Sequence, residues 1–379
     1  MYLFERLIWM HRTQDQADRN KWDETERKEF GPSQVRIDPD AKEWGVEDCL
    51  QIEPTDAGSI YAINDRFLDV RASFQEEKRG LITLLFFAFV YVLGYMGLYR
   101  LSLEPLFWMI SANTTPWDRP VEAGDWVGVV LGFILLAAAA LVVLRYGWRW
   151  LRVEIFTQRH LVARFNRVTR QVYLNRPPYA GGVVVLPWEA AVAAIDPSEP
   201  DHHGMSGFVA VVFSKERSGS DYGDTVFLGR PMRGSREIEG LWEYIRRYME
   251  DGPNSVPKPG RLLPLSPWPL EPVRATFRFM SPMWRSSSRP VALLTGLLLV
   301  PLLALHALSH WISLLLCWAP QWPEIIRDAG LPGKAVPKVT TLSDFGPELA
   351  ERIFYNDKRD EAKARPPRRK KKVGSRESA

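Results

Sequence analysis

Three long apolar runs constrain what this chain can fold into. The uncharged sequences "LITLLFFAFVYVLGYMGLY" and "WVGVVLGFILLAAAALVVL" occupy residues 81–99 and 126–144, and a third run occupies residues 291–320. A helix as long as either of the first two measures roughly 28 Å, which matches the roughly 30 Å hydrocarbon core of a bilayer. The average composition, 46% hydrophobic and 25% charged, would suit a soluble protein. Because the apolar residues are concentrated in these runs, we predict an α+β membrane protein with two to three transmembrane helices.

The third run leaves two arrangements open. Residues 291–320 are too many for one tilted helix and too few for two full spans, and Pro301 interrupts them. Such a run fits either a kinked transmembrane helix or a re-entrant hairpin that is protected by protein. The side of the membrane on which residues 321–379 lie therefore stays undecided. Their end, "KARPPRRKKKVGSRESA", has the composition of a disordered basic tail, which either has no partner or touches an anionic surface.

The charges that flank the first two runs predict their orientation. Between them, residues 100–125 are mostly acidic beyond Arg100, with Arg119 as the one further positive charge. Lysine and arginine are in excess on the cytoplasmic side of membrane proteins, so this loop is expected to be periplasmic. Residues 1–80 and 145–257 are then cytoplasmic.

The end of the second run carries aromatic and basic residues together. The stretch "RYGWRWLR" contains the five residues that we predict to anchor this span at the lipid headgroups: Arg145, Trp148, Arg149, Trp150 and Arg152. Trp and Tyr are enriched at membrane interfaces, and arginine also pairs with anionic lipid. A nucleic-acid surface is the alternative for this arginine-rich stretch, but the adjacent apolar run makes it the weaker interpretation.

The pattern changes to period two in residues 145–257. Short alternating runs such as "RHLVARFNRVTRQVYLNRP" are separated by turn sequences, and they predict five to seven antiparallel strands. An amphipathic helix follows, whose apolar stripe comprises Ile238, Leu241, Trp242, Ile245 and Tyr248. A curved antiparallel sheet that ends in a helix resembles a pleckstrin-homology (PH) domain in architecture. Alternation also predicts that Arg164, Arg167 and Arg170 point to solvent, and residues 258–290 are expected to form a Pro- and Arg-rich linker.

Residues 1–80 are acidic, with eighteen Asp and Glu against twelve Lys and Arg. Their strand-like runs are expected to pair with the sheet that resumes after the second apolar run, so that the first two spans are an insertion within one cytoplasmic body. The acidic surface suits either a basic partner or simple solubility.

The sequence offers few groups for chemistry. His202 and His203 lie side by side in a Pro- and Gly-rich loop, where neighbouring side chains rarely bind one metal ion. His306 and His310 share one helix face, and we expect them to form hydrogen bonds to a neighbouring helix, since no charged residue lies in the three runs. We therefore predict no enzymatic activity, no cofactor, no metal site and no small-molecule substrate.

Four stretches carry a resemblance to a known family: "INDRFLDVR" (63–71), "RFNRVTRQVYLNRP" (164–177), "VVVLPWE" (183–189) and "LWEYIRRYMED" (241–251). They resemble a family of Gram-negative inner-membrane proteins that carry a domain of unknown function and are often encoded beside type VI secretion effectors. The resemblance implies an immunity protein that binds and neutralises a cognate secreted toxin, such as a nuclease that acts in the cytoplasm. The alternative is a membrane-anchored adaptor that binds a protein or anionic lipid. Neither interpretation identifies the residues that contact the partner.

Overall fold

The computed structural model describes residues 2–15, 18, 42–73, 76–112, 115–116, 119–195, 207–232 and 234–364. The strands are β1 (Lys42–Gly45), β2 (Ile60–Ile63), β3 (Phe67–Arg71), β4 (Val162–Asn166), β5 (Gln171–Asn175), β6 (Val183–Pro187), β7 (Ala191–Ile195), β8 (Gly207–Phe213) and β9 (Asp224–Met232). All ladders are antiparallel, and they form one sheet in the order β1-β7-β8-β9 and another in the order β2-β3-β4-β5-β6. We call the two sheets and the segments packed on them the body.

Seven longer helices accompany these strands in the described residues: α1 (Leu3–Thr13), α2 (Glu76–Ser111), α3 (Ala123–Leu151), α4 (Ser235–Asp251), α5 (Leu270–Ser286), α6 (Arg289–Leu315) and α7 (Pro347–Ala364). Within α2, Leu93–Leu103 has π-helical hydrogen bonding, as do Val143–Gly147 in α3. The remaining helical segments are single turns at Pro178–Ala180, Trp188–Ala190, Lys215–Ser218, Pro253–Ser255, Glu324–Arg327 and Leu342–Phe345.

The alternation of apolar and polar residues along the strands determines which side chains form the core. Phe165 of β4, Val172 of β5 and Leu186 of β6 are fully buried, and Trp188 packs against Trp242 of α4 with ring centroids 5.5 Å apart. The whole predicted apolar stripe of α4 is buried in this core. The apolar residues that alternate along the strands and the apolar stripe of α4 thus pack in one core, as the sequence predicts.

Strand β3 comes before the first two apolar helices and strand β4 comes after them, yet the two strands are paired. Their register runs from Phe67 opposite Asn166 to Arg71 opposite Val162. The prediction that the acidic N-terminal region shares a sheet with the later strands is confirmed. The pair α2–α3 is therefore a helical hairpin inserted between two neighbouring strands, and both of its ends start from the body.

The linker expected at residues 258–290 instead contains α5, which lies antiparallel beside α6. Near the body, Trp311 Nε1 donates to the Pro267 carbonyl over 3.0 Å, and further along, the Thr276 hydroxyl and His306 Nδ1 are 2.8 Å apart. Helix α6 continues through Pro301, so the chain reverses at the turn before Arg289 and the third run is one helix. Thr276 gives His306 the hydrogen bond to a neighbouring helix that the sequence analysis predicts.

The chain after α6 returns to the body and runs across it. The Asn175 side chain donates to the Gln321 carbonyl, Thr340 exchanges hydrogen bonds with Val185, and α7 packs on α1. A bidentate pair between Arg12 of α1 and Asp357 of α7 joins these two helices. Both described ends of the chain thus lie on the body.

The prediction that Arg164 points to solvent is wrong, because residues 322–340 of the chain after α6 cover this face of the sheet. The side chain is buried, forms a bidentate pair with Asp69 at 2.7 and 2.8 Å, and lies between the rings of Phe67 and Trp322. Burial raises the pKa of Asp69 even though Arg164 opposes that effect. Arg164 does lie opposite Phe165 in the alternation, but residues 322–340 cover that outer face. Arg167 and Arg170 are half-buried at the turn, and Arg170 pairs with two carboxylates.

We expect Arg164→Ala to lower the free energy of unfolding by about 3–5 kcal/mol, because it leaves the Asp69 carboxylate buried without its partner. The control is Arg170→Ala, which removes partly exposed ion pairs that contribute at most about 1 kcal/mol. Denaturant titration of the full chain in detergent micelles measures both. Equal losses in the two variants would contradict the burial of Arg164.

Candidate functional site

The predicted anchor residues form the last turns of α3. Tyr146, Trp148 and Trp150 expose about half of their surface or more, at 56%, 48% and 59%. The π-helical turn Val143–Gly147 and the α-helical turn Trp148–Leu151 place the rings and the three arginines Arg145, Arg149 and Arg152 around the end of α3, and no described carboxylate pairs with these arginines. Exposed rings beside arginines without a described carboxylate partner suit the lipid headgroup region.

A buried polar cluster lies where the apolar helices meet the body. Its members come from distant parts of the chain: Tyr2, Arg79, Thr83, Glu154, Ser313 and Cys317. We call this cluster the junction. Tyr2 comes before α1, Arg79 and Thr83 lie in the first turns of α2, and Glu154 follows α3. Ser313 lies in the last turn of α6, and Cys317 comes just after that helix.

Arg79 is the centre of the junction and is fully buried. Its guanidinium donates to the Ser313 hydroxyl at 2.8 Å, to the Glu154 carbonyl at 2.9 Å and to Cys317 Sγ at 2.8 Å. It also donates to the Tyr2 hydroxyl and to the Arg159 carbonyl. Arginine presents five N–H donors in a rigid fork, so one side chain can hold the ends of three helices and the N-terminus together.

The carboxylate of Glu154 completes the junction from the other side. One oxygen accepts from both the backbone N–H and the hydroxyl of Thr83 at 2.6 Å, while the second oxygen has no hydrogen-bond partner among the described residues. Gly80 lies between these groups at φ +97°, and a Cβ there would lie 2.5 Å from the His310 backbone nitrogen. A glycine is required at this point, because α2 and α6 approach each other at backbone distance.

A small cavity of about 40 Å³ lies beside the junction, between the body and α5. Its polar lining includes Arg71, Glu76, His160, Arg278 and His310. Arg71 pairs with Glu76 at 3.2 Å and with Glu77 at 2.6 Å, and His160 Nδ1 lies 2.7 Å from Glu76. Burial lowers the pKa of His160, although Glu76 opposes this, so the ring is neutral at pH 7.

Three nitrogen atoms of residues that line this cavity have no hydrogen-bond partner in the part of the chain that the structure describes: His160 Nε2, His310 Nδ1 and Arg278 Nε. In a buried setting such atoms usually find an acceptor, a donor or a water molecule. The volume exceeds the roughly 10–15 Å³ that a single water molecule needs. The cavity is therefore large enough for several waters or for one small polar group.

The histidines that the sequence analysis considers as polar or metal-binding groups are the remaining candidates. His202 and His203 lie outside the described residues. Among the residues that are described, no group of three or more His, Cys, Asp or Glu side chains could hold a metal ion. His306 and His310 point into the space between α5, α6 and the start of α2, with ring centroids 6.2 Å apart. The sequence does not predict the junction, because the charged stretch "EEKRG" that contains Arg79 has no local pattern that indicates burial.

Comparison with known proteins places the chain in a family. The profile of a group described as "Family of unknown function (DUF6708)" matches residues 137–330. This match covers just over half of the chain, which therefore belongs to that family. No curated protein and no solved structure matches the chain. The matched region extends from the end of α3, through β4 to β9, to the end of α6 and beyond, so it contains the anchor residues and half of the junction.

We expect Arg79→Met to destabilise the protein by at least about 3 kcal/mol, because several buried acceptors lose their donor at once. The matched control is Arg119→Met, since Arg119 lies in an exposed loop and pairs only with Asp125. Thermal unfolding of the full chain in detergent, with proteolysis between α6 and the body as a second readout, compares the two variants. If Arg79→Met resisted heat and protease as well as Arg119→Met, the junction would not hold the helices to the body.

Proposed function

We propose that this chain is an inner-membrane protein whose helices α2 and α3 cross the bilayer, whose α6 enters it beside α5, and whose body lies in the cytoplasm. Exposed apolar surface is the observation that carries this proposal. In the most apolar part of each of α2, α3 and α6 only 6% of the residues are buried, and Leu85, Leu144 and Leu293 expose 69%, 73% and 77% of their surfaces. Soluble monomers rarely expose apolar patches larger than a few hundred Å².

Aromatic residues at both ends of the helical hairpin support the same placement. Trp108 and Trp126 are exposed at the end distant from the body, and Trp148 and Trp150 are exposed at the near end. Trp126 and Trp148 are separated by about 33 Å of helix, which is close to the thickness of the hydrocarbon core. Rings at both interfaces are typical of transmembrane helices.

The geometry of α5 and α6 favours an even number of crossings. Both the start of α5 and the end of α6 are fixed to the body: the Leu263 N–H donates to the Ile60 carbonyl, and the Arg159 side chain donates to the carbonyls of Leu314 and Cys317. If α6 enters the membrane, α5 enters it beside α6, and the chain returns to the side from which it entered. The chain after α6 is then cytoplasmic, in agreement with its basic tail.

Two antiparallel sheets that pack around one core and end in α4 support a PH-like interpretation of the body. This likeness concerns architecture and brings no ligand with it. A body of this kind acts by binding, and we propose no catalytic role for it.

We propose further that the binding partner is a toxin, and that the chain is the immunity protein for a type VI secretion effector. The resemblance carried by residues 63–71, 164–177, 183–189 and 241–251 supports this proposal. These stretches form β3, β4, β5, β6 and part of α4, which surround a single core. A body on the cytoplasmic side could meet a toxin that acts there.

The gene should be dispensable only in cells that lack the cognate toxin gene. We expect deletion of the immunity gene alone to inhibit growth when sister cells deliver the toxin, and double deletion to restore growth. Competition between isogenic strains measures this effect. A defect that persists after removal of the toxin gene would instead support the adaptor, the second candidate, which binds a protein or anionic lipid for some other purpose.

The acidic surface near β1 is the proposed contact for a basic toxin. Glu43, Glu47 and Glu53 are exposed there, and β1 to β3 belong to the sheets, so the test needs the full chain. Reversing these three charges to lysine should weaken protection and toxin capture at least tenfold, through the loss of steering and pairing. The control reverses Glu324, Glu348 and Glu351, which are equally exposed elsewhere. Equal protection by both triple variants would place the interface on another surface.

A further inference from the structure

The cavity beside the junction lies at the level where α5 and α6 leave the body. If the α5–α6 hairpin enters the bilayer from the cytoplasmic side, as proposed above, this level is the cytoplasmic headgroup region. The flanking segment before α5 exposes Leu262, Leu265 and Trp268 by 49%, 42% and 52%. An apolar surface therefore borders a polar cavity, which is the arrangement that an amphiphilic ligand needs.

The charges around the cavity are not balanced. No described carboxylate pairs with Arg278, and the Arg159 guanidinium donates only to the carbonyls of Leu265, Leu314 and Cys317. Arg261 and Arg274 share the single carboxylate of Glu271. Arg71 pairs with both Glu76 and Glu77, so these three residues together carry one net negative charge. Glu271, which also lines the cavity, carries another. Against these two charges, the four arginines Arg159, Arg261, Arg274 and Arg278 leave an excess of two positive charges on the described surface beside α5.

The unpartnered nitrogens specify the chemistry further. Arg278 Nε is a donor, and an arginine without a carboxylate matches the geometry of a phosphate oxygen. His160 has its Nδ1 against Glu76, so in the neutral ring the proton lies on Nδ1 and Nε2 is an acceptor. A ligand that places a phosphate at Arg278 and a hydroxyl at His160 would satisfy both atoms.

We propose that this cavity binds the headgroup of an anionic phospholipid from the cytoplasmic leaflet. Its phosphate lies at Arg278, a headgroup hydroxyl donates to His160, and its acyl chains lie along the exposed apolar faces of α5 and α6. Basic pockets on the cytoplasmic side of helical bundles bind anionic headgroups in this manner. Lipid bound here would connect α5 to the body at the point where the junction connects α2 and α6.

The test uses the full chain, purified in a mild detergent, stripped of lipid and titrated with phosphatidylglycerol or phosphatidylcholine of identical acyl chains. Native mass spectrometry counts the bound lipids. We expect a preference for phosphatidylglycerol that falls about fivefold in Arg278→Gln, since one arginine near a membrane surface contributes about 1 kcal/mol. Arg278→Lys should retain part of the preference. Arg327→Gln is the matched control, because Arg327 is exposed beside Asp328 on the body.

Three results would overturn the proposal: equal binding of the two lipids, an unchanged preference in Arg278→Gln with normal thermal unfolding, or displacement of the lipid by inorganic phosphate at equal concentration, which would identify a simple ion site. Carbonate extraction of cell membranes separates this outcome from failure of the proposed function. A wild-type chain that leaves the membrane with carbonate contradicts membrane insertion itself. A chain that stays in the membrane but shows no lipid preference contradicts only the headgroup site.

Discussion

The pairing of β3 with β4 is the constraint on which the rest of the structure depends. Five consecutive residue pairs, from Phe67 opposite Asn166 to Arg71 opposite Val162, join two strands that are separated in sequence by a complete helical hairpin. The entropy cost of closing so long a loop grows only with the logarithm of its length, so a large insertion is compatible with a stable sheet. This pairing fixes both ends of α2–α3 on one side of the body. Side chains that lie between the hairpin and the sheet must then be buried, whether they are apolar or charged.

The junction shows how those buried charges are accommodated. Arg79 takes its acceptors from the N-terminus, from the residues after α3 and from the end of α6, and Glu154 accepts from the first turn of α2. A buried charge without hydrogen bonds would destabilise the protein by several kcal/mol. The helices can therefore leave the body only with the geometry that satisfies both groups. In the proposed membrane arrangement, this connection would hold the body at a fixed height above the bilayer.

The sequence predicted the features that depend on local periodicity. The stripe of α4 and the alternating strands each bury the apolar face that their pattern predicts, and the three apolar runs form long helices with exposed apolar surfaces. The prediction for Arg164 was wrong because residues 322–340, distant in sequence, cover a face that alternation assigns to solvent. Helix α5 was predicted as a linker because its arginines and prolines obscure an amphipathic pattern whose partner is α6. No local sequence pattern indicates the junction, because its members are distant in sequence and are neighbours only in the folded protein.

The central claim is that the body, the N-terminus and the chain after α6 all lie on the cytoplasmic side of an inner membrane. The most direct measurement fuses paired reporters to the full chain: green fluorescent protein or alkaline phosphatase after Ala379, and phosphatase inserted within residues 112–122. We expect the C-terminal fusion to be fluorescent with green fluorescent protein and inactive with phosphatase, and we expect the phosphatase inserted within residues 112–122 to be active. An active phosphatase at the C-terminus would mean that α6 crosses without α5, and it would contradict the arrangement in which both helical hairpins start from one body.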